Sequence, residues 1–415
     1  MVNPERKGLP CFARRDTVLG MSTEMTSLPT RPKERRYLRD WLRNLPPRWV
    51  FRLVAWLGFK PPPMKALFDA SSFLLSQWMY VATKLEIADR LFERPRTTGE
   101  LAELSGVSED GLGRMLYALE QRGYFQRLNA KNSESLEGPW ANTALSSTLM
   151  ASHPNSVRPL VLHWVEDCYL PNGHLLQSMQ QETSAFSVEK GEAYDSFFRE
   201  FLPGNPERAA LFSEAMNASS AFSDEAVLRD FSWSRFKRLV DVGGGYGSFL
   251  SLALERNPQA RGLVFDLPEV IRGARGQWSQ REDSISQRIE FSEGSFFEEH
   301  TIPQIGEGEA FVLRNVLHDW PDEESRQILR NLRQSMKPES RVVLIELGMM
   351  TNASKHVLEQ ARSSVDMLMM SMFDGRERTL GQFRSLLNDS GFELVAVQET
   401  RSPSQVIEAR PILRS

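Results

Sequence analysis

Cysteine is nearly absent: the 415 residues hold only Cys11 and Cys168. That excludes a disulfide framework and any zinc site built on clustered cysteines. A reducing, cytoplasmic setting is expected. No run approaches the ~18 consecutive apolar residues of a membrane span. The six histidines are scattered, none beside a second at metal-ligand spacing, so no metal is expected. Positive charge is scarce beyond the N-terminus. Residues 1–60 hold thirteen Lys/Arg against five Asp/Glu, and the rest of the chain holds 37 against 49. An acidic body is a poor general binder of nucleic acid. The apolar and charged fractions are those of an ordinary globular protein, and the length suits two or three domains.

Residues 1–33 show no period and read as a disordered leader. Met21 is a second candidate start, and Glu5, Asp16 and Glu24 speak against a transit peptide. In residues 34–59, Arg35, Arg36, Arg39, Arg43, Arg48 and Arg52 alternate with Tyr37, Leu38, Trp41, Leu42, Trp49, Val50, Leu53 and Trp56. This predicts two short amphipathic helices broken at Pro46-Pro47. The favoured reading is an arm packed on the body or on a partner subunit. Peripheral contact with an anionic membrane is the lesser one. Pro61-Pro62-Pro63 then reads as a stiff linker.

From Lys65 to Phe92 apolar residues recur at helical spacing. Thr97-Thr98-Gly99-Glu100 is a helix start, Gly106-Val107-Ser108 a turn, and Leu112, Met115, Leu116 and Leu119 form the stripe of a second helix ending at Gly123. Tyr124–Leu128 follows as a wing strand. A helix-turn-helix that reads DNA needs a basic second helix. This one carries Glu109, Asp110 and Glu120 against Arg114, so packing of a dimer is the expected use. Residues 140–230 read as helical and aromatic, with His163-Trp164 and Cys168-Tyr169 on neighbouring turns. Leu175, Leu176, Met179, Phe197, Phe198 and Phe201 follow; most of these residues are expected in the core, and a few are expected to face a ligand, because they precede the domain with the glycine loop.

The C-terminal part alternates strands and helices, which means a parallel sheet with helices on both faces. Strands are predicted at 239–242, 262–268, 289–291, 310–313 and 341–346. Two more, 393–397 and 405–409, are joined by a loop alone and predict an antiparallel edge pair. Everything turns on Leu239-Val240-Asp241-Val242-Gly243-Gly244-Gly245-Tyr246-Gly247. An apolar strand ends in an acid and turns through glycines into a helix, where the backbone can lie against a ligand. A glycine loop alone is a weak signal. Asp266 ends the next strand, 23 residues after Gly243, the place of an acid that accepts hydrogen bonds from a ribose diol. His318 follows the fourth strand in Arg314-Asn315-Val316-Leu317-His318-Asp319-Trp320. Its ordinary pKa of about 6.5 suits a general base. Met349, Met350, Met367, Met369, Met370 and Met372 read mainly as core, with an adaptable pocket as the alternative.

Asp241-Val242-Gly243-Gly244-Gly245, Phe265-Asp266-Leu267-Pro268, His318-Asp319-Trp320 and Gly375-Arg376-Glu377-Arg378-Thr379 occur in that order. Together they resemble the class I S-adenosylmethionine-dependent O-methyltransferases, the broad family of caffeic acid and acetylserotonin O-methyltransferases and their bacterial relatives. The resemblance spans about residues 65 to 400. The N-terminal arm and helices also resemble the carotenoid hydroxyl methyltransferases, which are less similar at His-Asp-Trp.

The resemblance implies an α/β fold: a Rossmann-like methyltransferase sheet with an antiparallel edge pair, plus an N-terminal all-helical winged-helix dimerisation domain. Residues 1–60 would be leader and arm. Residues 61–231 would be the dimerisation and substrate-lining region, and 232–415 the catalytic domain. S-adenosylmethionine would contact Asp241, Gly243, Gly245, Asp266, Leu267, Ser295, Phe296 and Arg314. Ser295 stands where the family usually has an acid, and Arg314 where a lysine is common. His318 would be the base, oriented by Glu346 and Glu377, because a carboxylate on one ring N–H fixes the tautomer and supports the cation. The expected activity is methylation of a phenolic or enolic hydroxyl of a small metabolite by a homodimer without metal or nucleic acid. Methylation at sulfur or nitrogen is the alternative, since such acceptors need no strong base. A ligand-sensing regulator is a third reading, which the acidic second helix disfavours.

Overall fold

The computed structural model describes residues 62–128, 138–191, 194, 196–349 and 357–413. The leader and the basic arm of 34–59 lie outside the described residues, as does Met350. The chain divides into two compact units, 1–71 and 72–415. In the first, the helix Pro62–Ala70 begins inside the proline run that predicted a linker. Proline suits a first helical turn, where its missing N–H has no intrahelical partner and its φ is preset.

The second unit begins with helices Ser72–Lys84 and Ile87–Arg90. Helix Thr98–Ser105 starts on a capping box in which the Thr97 hydroxyl accepts from the Glu100 N–H and the Glu100 carboxylate accepts from the Thr97 N–H. It stops at Gly106, whose φ of 66° is left-handed. Helix Glu109–Glu120 follows, and strands β1 (Arg96–Thr97), β2 (Gln126–Arg127) and β3 (Pro139–Ala141) make an antiparallel wing in the order β1-β3-β2. Leu101, Leu112, Leu116, Leu119, Phe125 and Trp140 form its core. Each such burial is worth about 1.5–3 kcal/mol. The Trp140 indole N–H, fully buried, donates to the Thr98 hydroxyl at 2.9 Å.

Helices fill 144–230 as expected, with two π-helical turns, Trp164–Cys168 and Phe197–Phe201. His163, Asp167, Cys168, Phe186, Phe197 and Phe201 are buried there. Leu176 and Met179 are not in the core: they are 72% and 55% exposed, and Trp164 and Leu170 are exposed as well. Helix Leu175–Gln181 turns only Ser178 fully inward, and among the described residues nothing buries Leu176 or Met179. The 25-residue helix Pro206–Asp230 then runs from the helical half to the sheet. Arg208 pairs with Glu166 at one end. Further along, Asn217 accepts from the Ser248 hydroxyl at 2.9 Å, and Asp224 pairs with Arg314 at 2.6 Å.

The sheet has seven strands: β4 (Arg238–Val242), β5 (Arg261–Asp266), β6 (Ile289–Glu293), β7 (Glu309–Arg314), β8 (Arg341–Glu346), β9 (Phe392–Glu399) and β10 (Gln405–Pro411). Their order is β6-β5-β4-β7-β8-β10-β9. The first five are parallel; β10 runs antiparallel beside β8, with β9 outside it. Alternate residues feed two cores. Phe311, Leu313, Leu344, Ile328 and Phe383 pack on one face; Val264, Val312, Val343, Leu250 and Trp233 pack on the other. The chain steps from β4 to β5 and β6 on one side, then to β7 and β8 on the other. Ligands of open α/β sheets enter at such a reversal, outside the carboxyl ends of the strands. Among the described residues no helix is long and apolar enough to cross a membrane.

Candidate active site

The glycine turn sits at that reversal. The Gly243 N–H donates to the Phe265 carbonyl at 2.8 Å, which ties the end of β4 to β5. Gly243 and Gly245 have φ of 69° and 58°. At Gly244 a Cβ would lie 2.7 Å from the Asp241 carboxyl carbon, whereas at Gly245 it would meet nothing within 4 Å. The turn is therefore closed behind Gly244 and open at Gly245. Asp266 is held from both sides: the Gly245 N–H donates to Oδ2 at 2.8 Å and the Leu267 N–H to Oδ1 at 2.7 Å. Burial pushes Asp266 up to about 6, against the pull of these two N–H groups. Burial likewise pushes Asp241, 2% exposed, up to about 7, and its Oδ2 has no hydrogen-bond partner. An open glycine face, a pinned carboxylate and an orphaned carboxylate oxygen fit a ligand that brings hydroxyl and ammonium donors.

The other named residues take different positions. Phe296 reaches the glycine turn, 3.9 Å from the place of a Gly243 Cβ, and packs on Phe297 and Trp320. The Ser295 hydroxyl accepts from the Phe297 N–H at 3.2 Å. The Arg314 guanidinium pairs with Asp224 of the long helix.

Val316 lies against Gly243 (Cγ2 to the Cβ position, 3.0 Å), so the glycine turn abuts the loop after β7. That loop closes in a 3-10 turn, Leu317–Asp319. His318, 7% exposed, sits in it. Its Nδ1 is 2.7 Å from Glu377 Oε1 and 4.0 Å from Glu346 Oε2, and its Nε2 is 3.5 Å from Asp319 Oδ1. Of the two expected braces, only Glu377 is hydrogen-bonded to the ring. Glu346 instead accepts the Leu317 N–H at 3.0 Å and acts on the imidazole as a nearby charge.

An imidazole near pKa 6.5 was the expectation, and the structure changes it. Burial disfavours the His318 cation, but Asp319, Glu377 and Glu346 outweigh it and push the ring up to about 10. Burial pushes Glu346 up to about 7, with the neighbouring Glu377 charge adding to it and His318 opposing. Asp319 goes to about 7 by the same balance. Among the described residues, His318, Glu346 and Glu377 are also the one group of His, Cys, Asp or Glu whose donor atoms lie close enough to share a cation, within 4.8 Å of one another. Their reading as a braced base needs none.

Sequence reasoning passed over two features. Arg378, 1% exposed, donates to the Leu317 and Trp320 carbonyls on either side of His318. Its signal was present, because it stands next to Glu377 in the quoted motif. The second is a buried His163–Asp167 pair, Nδ1 to Oδ2 2.8 Å, with Cys168 Sγ 3.7 Å from His163 Nε2. It packs edge-on against Phe197 and Phe212.

Comparison with known proteins points the same way. Residues 69–152 match the O-methyltransferase dimerisation domain and residues 174–393 match the O-methyltransferase domain. A phenazine O-methyltransferase of Lysobacter antibioticus is 31% identical over 347 residues, 82% of this chain and 94% of that one. An 8-amino-8-demethylriboflavin N,N-dimethyltransferase of Streptomyces davaonensis is 29% identical over 338 residues, 80% of this chain and 90% of its own. The crystal structure of an O-methyltransferase from neocarzinostatin biosynthesis, in complex with S-adenosylmethionine and 2-hydroxy-5-methyl naphthoic acid, superposes with a TM-score of 0.67 at 26% identity, covering 81% of this chain and 96% of that one. With more than half its length under the catalytic-domain match and a relative above 30% identity along most of it, this chain belongs to the O-methyltransferase family.

Proposed function

We propose that this chain methylates a phenolic or enolic hydroxyl of a small metabolite, with His318 Nε2 taking the hydroxyl proton. The observation that carries the reading is the 2.7 Å contact between His318 Nδ1 and Glu377. A carboxylate at that distance favours the tautomer with its proton on Nδ1, and this supports Nε2 as the nitrogen that takes the hydroxyl proton. Bound S-adenosylmethionine supplies an electrophilic methyl group on a sulfonium. Asp266 would accept from the ribose hydroxyls and Asp241 from the ammonium, while Gly243 and Gly245 line the methionyl part. Leu267, Ser295 and Phe296 would border the adenosine, and Arg314 would hold the wall behind the turn through Asp224.

A base pushed up to about 10 is matched to a phenol, whose pKa is also about 10. A fixed positive charge beside the ring opposes its protonation, so the working value in the complete complex lies below that of the free protein. Positioning and exclusion of water do the remaining work. Phe197, Phe198, Phe373 and Trp320 pack as an aromatic cluster with rings tilted or edge-on to one another, and its partly buried members Phe198 and Phe373 would meet an aromatic acceptor. Residues 61–231 act as the dimerisation and substrate-lining region and 232–415 as the catalytic domain. In the homodimer a second copy covers the exposed apolar residues of helix Leu175–Gln181, Leu176 and Met179.

The test is His318→Ala, followed by formation of adenosylhomocysteine with a panel of phenols and aromatic amines. Loss of the base should lower turnover of phenols about 10²- to 10⁴-fold. Unchanged turnover on a hydroxyl would sink the role of His318. Survival with an amine alone would favour transfer to nitrogen, the chemistry named for the riboflavin-related relative.

A further inference from the structure

We propose that Arg378 is a positioning residue for this reaction: its guanidinium fixes the short turn that carries His318, and so the direction in which the ring presents Nε2. This rests on His318 being the base.

The guanidinium is almost wholly buried, and a buried cation is costly unless its donors are matched. Nη1 donates to the Leu317 carbonyl at 2.6 Å. Nη2 donates to the Trp320 carbonyl at 2.7 Å and to the Ser325 hydroxyl at 3.1 Å. Nε donates to Asp322 Oδ1 at 2.9 Å. The two carbonyls belong to the residues that bracket His318-Asp319. Asp322, the one carboxylate that the guanidinium hydrogen-bonds, is 41% exposed at its side chain, and the buried Glu346 also feels the guanidinium charge; the two carbonyl dipoles add to that compensation. A group placed only to form an ion pair would not be spent on two carbonyls of one turn.

The residues before Arg378 grip the same turn. The Arg376 N–H donates to the His318 carbonyl at 2.8 Å. At Gly375 a Cβ would stand 2.1 Å from that carbonyl oxygen, so only glycine allows the approach. Glu377 takes the ring itself, and its own N–H donates to Asp366 Oδ1 at 2.8 Å. Four consecutive residues thus hold the backbone on both sides of the base, its carbonyl and its imidazole. Only a planar fork of five donors reaches two carbonyls, a hydroxyl and a carboxylate together; an ammonium on a flexible stem does not. Without the fork the turn keeps its sequence but loses the register between His318 and Glu377. A misplacement of about 1 Å is enough to cost roughly 10²-fold in rate.

The experiment uses the full chain with Arg378→Lys, and Arg378→Ala with added guanidinium. Adenosylhomocysteine binding and KM for the best phenol should stay within about threefold of wild type while kcat falls on the order of 10²-fold. The ascending limb of kcat against pH should move to lower pH by about one unit, because the ring no longer lies on Glu377. In Arg378→Ala, millimolar guanidinium should restore both rate and limb, and urea at the same concentration should not. A merely structural arginine would reduce the amplitude and leave the limb in place, and that outcome, or an unchanged kcat in Arg378→Lys, overturns the proposal. Should Arg378→Ala fail to fold, the lysine variant decides by itself. His318→Asn separates the two claims. If it keeps full activity, the base assignment fails; if it is inactive while Arg378→Lys behaves as wild type, only the positioning role fails.

Discussion

Replacing Glu377 by glutamine tests the site most directly, because it keeps the shape and removes one charge. Glu377 Oε1 lies 2.7 Å from His318 Nδ1 and is buried with it. A hydrogen bond to a charged partner is worth about 1.5–3 kcal/mol, and one pKa unit corresponds to about 1.4 kcal/mol, so the imidazole should fall by roughly one to two units. The sign follows from the protonation state that works. The base must be neutral, and in the free protein the carboxylates push it up to about 10. Wild-type kcat/KM should therefore rise with pH through neutrality and level off only at alkaline pH. In Glu377→Gln the rise should begin and end earlier. The plateau should also drop, by ~10-fold or more, because a weaker base gives less proton-transfer driving force. Initial rates of adenosylhomocysteine formation between about pH 6 and pH 11 in a constant-ionic-strength buffer would show both effects. A phenol's own ionisation also gives an ascending limb, so two phenols of different acidity are needed. A limb that follows the phenol and ignores the substitution would refute the assignment of the titrating group to the His318–Glu377 pair.

Two further outcomes come from the same geometry. Asp241 is buried with an orphaned oxygen and is pushed up to about 7 by burial, above its ordinary carboxylate range. A raised folded-state pKa means that ionisation destabilises the fold as pH rises from about 4 through 7. Asp241→Asn should therefore match or fall below wild type in Tm near pH 4.5 and exceed it near pH 8, while binding adenosylhomocysteine more weakly. A stability difference that does not change with pH would contradict this. Gly375→Ala would put a methyl group against the His318 carbonyl. It should cost more than about 1–3 kcal/mol of stability, the usual range for overpacking, and most of the turnover. Wild-type melting and rate would show that the approach of 375 to 318 has been misread.

The parts legible in the sequence are those where one local rule decides. The parallel strands alternate with helices and carry Asp241, Asp266 and Glu346 at or one residue before their last position, so their carboxyl ends could be aligned before any pairing was known. Thr97-Thr98-Gly99-Glu100 announced a helix start, which the fold realises as a capping box, and the acidic first turn of Glu109–Glu120 argued against a DNA reader. Burial of an amphipathic face is different, because periodicity shows that a stripe exists and not what covers it. Leu176 and Met179 lie on such a stripe and stay exposed in one chain. The His318 charge state was illegible for a related reason. Three carboxylates that stand 1, 28 and 59 positions after the histidine have no fixed place in space from spacing alone, and only their convergence on one ring decides whether burial or Coulomb attraction wins. Arg378 stands next to Glu377 in the motif, but its type hid what it does. A basic residue in an acidic chain reads as solvated surface, and its carbonyl partners carry no side-chain signature at all. Functional groups that act on side chains can be found from spacing; those that act on backbone carbonyls need the fold. Here one pentapeptide does both. Its glycine permits the approach, its glutamate takes the imidazole, and its last arginine takes the peptides on either side, so the base and its support arrive at the crevice as a single piece of chain.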